Sequence, residues 1–141
     1  MKITLCYSMQ FAEKAKEVQA WFKKNGHHSY PSKFIEEFIG LSDAEKERLK
    51  LYQKYKKDAI REHWELIQKC DAILVLNYEK HGIAGYIGGN AFLEMGFAYV
   101  LSKPIYLLNE IPQIPYYKTE IIAMKPILIN NDFEKVIKNG L

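Results

Sequence analysis

The sequence predicts an α/β fold, a three-layer sandwich around a central, parallel, five-stranded sheet of the flavodoxin or Rossmann type. Three observations carry that expectation. Short β-prone runs alternate with helical stretches along the chain. One run, Ala72-Ile73-Leu74-Val75-Leu76, is apolar without alternation, the pattern of a strand covered on both faces. The connections are long enough for helical crossovers, which make neighbouring strands parallel. At 141 residues the chain has the size of one domain, 1–141, able to bury its own core.

Lys2-Ile3-Thr4-Leu5-Cys6-Tyr7 is the expected first strand, ending at Ser8. Phe11, Ala15, Val18 and Phe22 then recur at helical spacing until Asn25-Gly26 stops the helix. His27 to Tyr30, before Pro31, is the second strand. From the capping-box-like Ser42-Asp43-Ala44-Glu45 to Lys69 there is neither Gly nor Pro, which predicts one long helix or two in tandem. Its stripe includes Tyr52, Tyr55 and Trp64, more aromatic surface than one sheet needs. Part of it packs either on a second subunit, giving a homodimer or higher homo-oligomer, or on the domain's own core. Cys70 to Asn77 is the third strand, followed by a polar, glycine-rich loop and a helix over 90–102 that Lys103-Pro104 ends. Ile105 to Asn109 is the fourth strand, 117–124 a short helix, Pro126 to Ile129 the fifth strand, and Phe133 to Ile137 a closing helical turn.

Composition excludes several classes. The formal charge is only +3, and Lys54, Lys56, Lys57 and Arg61 alternate with acidic and apolar neighbours as on a solvated helix face, which argues against a nucleic-acid partner. No apolar run approaches the ~20 residues of a membrane span, so no membrane partner is expected. The two cysteines, Cys6 and Cys70, belong to no paired motif, and His27, His28 and His81 lack metal spacing; no metal and no cofactor are expected. A start that runs straight into a strand and the sparse cysteines fit a cytoplasmic setting.

In parallel sheets ligands bind beyond the carboxyl ends of the strands, where the strand order reverses. The turn Tyr7-Ser8-Met9 and the loop from Asn77 to Asn90 meet there. Gly88 and Gly89 are expected to take backbone angles closed to other residues and to let a ligand approach, with Asn90 as N-cap of the helix that follows. The unpaired amides of that helix end favour an anion. Glu94, an acid among Phe92, Leu93, Met95 and Phe97, needs a task or a partner: it attacks an electrophilic sugar carbon, or it stabilises its own helix. His63 is a candidate proton donor or a surface histidine. Ser8 holds a phosphate or sugar hydroxyl, or caps the first helix. Asp71 contacts the ligand or caps the polar edge of its strand.

Lys69-Cys70-Asp71-Ala72-Ile73-Leu74-Val75-Leu76, the polar loop, and Asn90-Ala91-Phe92-Leu93-Glu94-Met95-Gly96-Phe97-Ala98 followed by Lys103-Pro104-Ile105 resemble the nucleoside 2-deoxyribosyltransferase-like family, which includes deoxynucleoside monophosphate N-glycosidases. The resemblance implies that Glu94, in the pattern Glu-x-Gly-x-Ala, attacks C1′ of a nucleoside sugar, and that Ser8 lies in the loop holding the 5′ end or phosphate. Where the family has an aspartate that protonates the leaving base, this chain has His63. The family's first-strand tyrosine is matched by Thr4, and Gly88 stands where a serine or aspartate is usual. Gly88 to Glu94 is also similar, in part, to the glycine-rich motif of the cytokinin-activating phosphoribohydrolases. The implied activity is cleavage or transfer at the N-glycosidic bond of a nucleoside or nucleoside monophosphate. Two other classes stay open: a nucleotide-binding or sensing module without turnover, and a scaffold that dimerises through 42–69.

Overall fold

The structure, a computed structural model, describes residues 1–139. Five strands form one parallel sheet: β1 (Lys2–Cys6), β2 (His28–Tyr30), β3 (Ala72–Val75), β4 (Ile105–Leu107) and β5 (Ile127–Leu128). Their order is β2-β1-β3-β4-β5, and every pairing is parallel. This is the flavodoxin-like order, in which the direction of winding reverses between β1 and β3. The helices are α1 (Ala12–Lys24), α2 (Asp43–Lys56), α3 (Ala59–Lys69), α4 (Gly89–Val100), α5 (Lys118–Ala123) and α6 (Glu134–Asn139). The predicted α/β sandwich is thus the observed one. No helix among the described residues is long and apolar enough to cross a membrane.

The period of two along each strand divides the core into two layers. Ile3, Leu5, Ala72, Leu74 and Tyr106 face α1 and α6 and meet Phe22, Phe38 and Val136. Cys6, Ile73, Val75, Ile105 and Leu107 face the other way and meet Ile67 of α3, Ala91, Met95 and Ala98 of α4, and Ile121 of α5. The last residue of β1 is thereby aimed at the α3 and α4 side.

The stretch predicted as one helix or two is two. Ser42 caps α2 through a full capping box with Glu45. The chain then breaks at Asp58, which takes φ 50° and ψ 48° before α3 begins. Neither Gly nor Pro marks the break; aspartate is one of the few other residues that visits the left-handed region. The carboxyl end of α3 is closed by Lys103, whose Nζ donates to the carbonyls of Ile67, Gln68 and Cys70 at 2.7, 2.6 and 2.5 Å.

The loop leading into α4 is clamped by Asn77. Its amide nitrogen donates to the carbonyls of Gly85, Asn109 and Glu110 at 3.3, 3.1 and 3.0 Å, and its Oδ1 accepts from the Asn109 amide at 2.9 Å. Gly85 fits beneath this clamp with φ 68°, and a Cβ there would stand 2.2 Å from the Glu110 carbonyl oxygen. Asn77→Ala, which orphans several buried groups, is expected to cost about 3 kcal/mol in urea unfolding. Gly85→Ala is expected to lower stability at least as much, because it combines left-handed backbone with a backbone clash.

Candidate active site

Three side chains from three elements meet over the carboxyl end of β1. Cys6 is fully buried. On α3, His63 precedes buried Ile67 by one turn and so shares its inward face. On α4, Glu94 lies between Ala91 and Ala98, on the face that packs toward the sheet. His63 Nε2 is 3.5 Å from Glu94 Oε2 and 3.9 Å from Cys6 Sγ. The side chains of His63 and Glu94 are 9% and 13% exposed, so Glu94 keeps a narrow opening to solvent. Its Oε2 is buried without a hydrogen-bond partner; the contact with His63 is at ion-pair distance.

Burial dominates the electrostatics. Desolvation pushes the Glu94 carboxyl above its usual range, while His63, then Cys6, then Lys54 pull it back. Burial likewise pushes the Cys6 thiol well above its ordinary value, and the Glu94 charge adds to that.

A basic wall closes the crevice from above. Lys46, Lys50 and Lys54 form an i, i+4 stripe on α2. Lys46 anchors the helix, with its Nζ 2.6 Å from Glu13 Oε2 and 3.4 Å from the Gln10 carbonyl. Lys50 and Lys54, one and two turns on, line the crevice with Lys80, Tyr7, Ser8, Met9, Tyr86 and the start of α4. Lys50 pairs with Glu47 at 2.8 Å, and Lys80 Nζ donates to Ser8 Oγ at 2.8 Å. Desolvation, then the Lys50 charge, holds both Lys54 and Lys80 below the ordinary lysine value. The adjoining part of the crevice, toward Glu94 and His63, is bounded by Ala59, Ile60, Leu93 and Phe97.

The residues expected from the sequence separate into two groups. Ser8, Met9, Gly88, Gly89 and Asn90 line the crevice, and His63 joins Glu94 there. Tyr7 contributes to the wall, but its hydroxyl is spent accepting from the Ser32 amide at 3.1 Å. Asn77 does not line the crevice; it is fully buried in the clamp. Asp71 lies at the opposite, amino edge of the sheet, accepting from the Lys2 amide at 2.8 Å, so the polar-edge alternative holds for it.

Three local expectations need correction. Neither Gly88 nor Gly89 takes left-handed angles: Gly89 opens α4, and Gly88, extended at φ −81° and ψ 177°, occupies the N-cap position in place of Asn90. Asn90 falls in the first turn of α4, leaving its side chain free for the crevice. Ser8 precedes a short 3-10 turn, Met9–Phe11, without capping it. The sequence reading missed Cys6, Lys50, Lys54 and Lys80. The signal for two of them was the Lys-x3-Lys-x3-Lys spacing, hidden among the mixed residues between; Cys6 left no local signal, since its partners are far along the chain.

No family model matches the sequence, and no curated protein matches it. Among solved structures, the chain is similar to the Clostridium botulinum CMP N-glycosidase BcmB, with a TM-score of 0.49 and 14% identity, covering 98% of this chain and 97% of that one.

The buried carboxyl leaves a signature in stability. Because the folded state raises the pKa of Glu94, it binds that proton more tightly than the unfolded chain does. Stability from this group is therefore greatest below the ordinary carboxylate range and is lost as pH rises through the raised value. Glu94→Gln is expected to unfold at higher urea than the wild type at neutral pH, with the difference vanishing in acid; a midpoint difference independent of pH would contradict this.

Proposed function

We propose that the crevice binds a nucleoside monophosphate and that Glu94 breaks its N-glycosidic bond. The observation that carries this reading is a desolvated carboxylate, in contact with a histidine, on the floor of a lysine-walled crevice at the carboxyl edge of a parallel sheet. The phosphate takes the place between Lys50, Lys54, Lys80 and the amides opening α4, where cationic side chains and a helix N-terminus converge. The sugar then lies over Glu94, and the base extends toward Ala59, Ile60 and Phe97.

In the first step a Glu94 oxygen forms a bond to C1′ as the bond from C1′ to the base nitrogen breaks, and the electron pair leaves with the base. His63 carries the proton that holds Glu94 anionic. Once the carboxylate charge is consumed in the ester, that proton loses its counter-ion and passes to the departing base. Water then attacks C1′, returning a proton to His63 and freeing Glu94; a second base in place of water gives transfer. No cofactor takes part. At 3.5 Å His63 acts beside Glu94, coupling the two charges.

Base release from a panel of nucleosides and monophosphates tests the reading. Glu94→Ala is expected to lose about a thousandfold or more in rate; equal rates would end the assignment. Lys54→Gln is expected to raise KM for the monophosphate about tenfold while leaving that for the free nucleoside unchanged. Tight nucleotide binding by calorimetry with no turnover would instead identify a sensing module.

We infer further that the protein acts in the cytoplasm, in keeping with its two unpaired cysteines, and as a homo-oligomer. Tyr55 on α2 and Tyr99 and Val100 on α4 are 80%, 51% and 79% exposed, large apolar side chains left open to solvent. Sedimentation is expected to show a dimer or larger species, and Val100→Glu to shift it toward monomer.

A further inference from the structure

We propose that Cys6, His63 and Glu94 also form a three-donor site for a thiophilic divalent cation, zinc(II) foremost, whose occupancy silences Glu94. The cation site stands on its own geometry; the silencing rests on the reading of Glu94 as the nucleophile.

Each residue offers one donor atom, and the donors lie within 4.8 Å of one another. Bonds of about 2.0–2.3 Å in a tetrahedral zinc site imply donor separations of roughly 3.3–3.6 Å. The 3.5 Å from His63 to Glu94 and the 3.9 Å from His63 to Cys6 are within a few tenths of an ångström of that. Glu94 Oε2 is buried and lacks a hydrogen-bond partner, a lone pair already stripped of water and aimed into the cluster. The donor set selects the ion: sulfur, imidazole nitrogen and a single carboxylate suit zinc, whereas magnesium and calcium demand shells of oxygen. One thiolate and one carboxylate balance the double positive charge, which a buried site requires.

Binding is a proton exchange without redox. The Cys6 thiol and the His63 imidazolium each release a proton to solvent as their bonds to the metal form, and the Glu94 carboxylate donates a lone pair. The three donors leave a fourth position toward the crevice, on the side where Glu94 remains open to solvent. With Oε2 on the metal and the His63 nitrogen occupied, the carboxylate has neither the free oxygen nor the proton partner that attack on C1′ needs.

Cobalt(II) is the probe. Added to the purified protein, it is expected to give a sulfur-to-cobalt charge-transfer band and tetrahedral visible bands at one cobalt per chain, displaced by equimolar zinc. Cys6→Ser is expected to remove the charge-transfer band and to weaken zinc binding at least about tenfold, the loss that even outer-shell changes cause. Cys70→Ser, which leaves Cys6 as the only thiol, is expected to keep the band. Glu94→Gln retains both soft donors and is expected to bind at least about tenfold more weakly, so the site remains testable if Cys6→Ser does not fold. Absence of the band in the wild type, or its loss in Cys70→Ser, overturns the cation site. Stoichiometric zinc is expected to abolish base release and a chelator to restore it; release that zinc leaves unchanged or increases overturns the silencing. If no substrate releases a base, the reading of Glu94 as nucleophile fails, and the cobalt spectrum still decides the cation site.

Discussion

Everything in the crevice depends on how closely α3 and α4 pack over the end of β1. Small and flexible side chains make that approach possible: Ala91, Met95 and Ala98 lie against the strands with almost no exposure. Trp64 of α3 meets Phe97 of α4 edge to face, with ring centroids 5.1 Å apart, on the outer side of the same seam. Lys103 fixes the far end of α3 by satisfying its last carbonyls. Two helices held in this way leave no room for water between His63 and Glu94. The desolvation that tunes the carboxylate is therefore a result of core packing, brought about by residues that never touch a ligand.

That packing has an energetic side. Apart from Glu94 Oε2, the hydroxyls of Thr4 and Ser29 and the His27 Nδ1 are buried without a hydrogen-bond partner, on β1, on β2 and just before β2. A sheet optimised only for stability would carry apolar groups there. Gly96, by contrast, meets nothing where a Cβ would stand, so it answers to no close approach within this chain. Within the crevice the buried cost falls on the Glu94 carboxylate.

The layers and the parallel sheet were legible because they follow from local periodicity and connection length; the strand order was not, because flavodoxin and Rossmann sheets share both. The continuous apolar run of β3, the capping box at Ser42 and Glu45, and the helix carrying Glu94 all announce themselves within a few residues. The break at Asp58 did not, because its left-handed backbone is imposed by how α2 and α3 pack and the residue only tolerates it. Asn77 and Asp71 stand at the two ends of one strand, and sequence order alone could not tell which end faces the ligand. Cys6 escaped notice for the opposite reason: it looks like any core residue until strand alternation and two distant helices bring His63 and Glu94 to it. The lysines of α2 read as a solvated face because charge was judged by neighbours in sequence, whereas an i, i+4 stripe is judged along the helix.

The turn at Asp58 has a further consequence, for how this chain can diverge. It assigns the lysine wall to one helix and the histidine to the next, with the carboxylate on a third. Substitutions that reset the charge a ligand must carry fall on α2 and Lys80, while those that reset the bond chemistry fall on α3, α4 and β1. Ligand preference and reaction type are thus inherited on separate segments, and a lineage can exchange one without first dismantling the other.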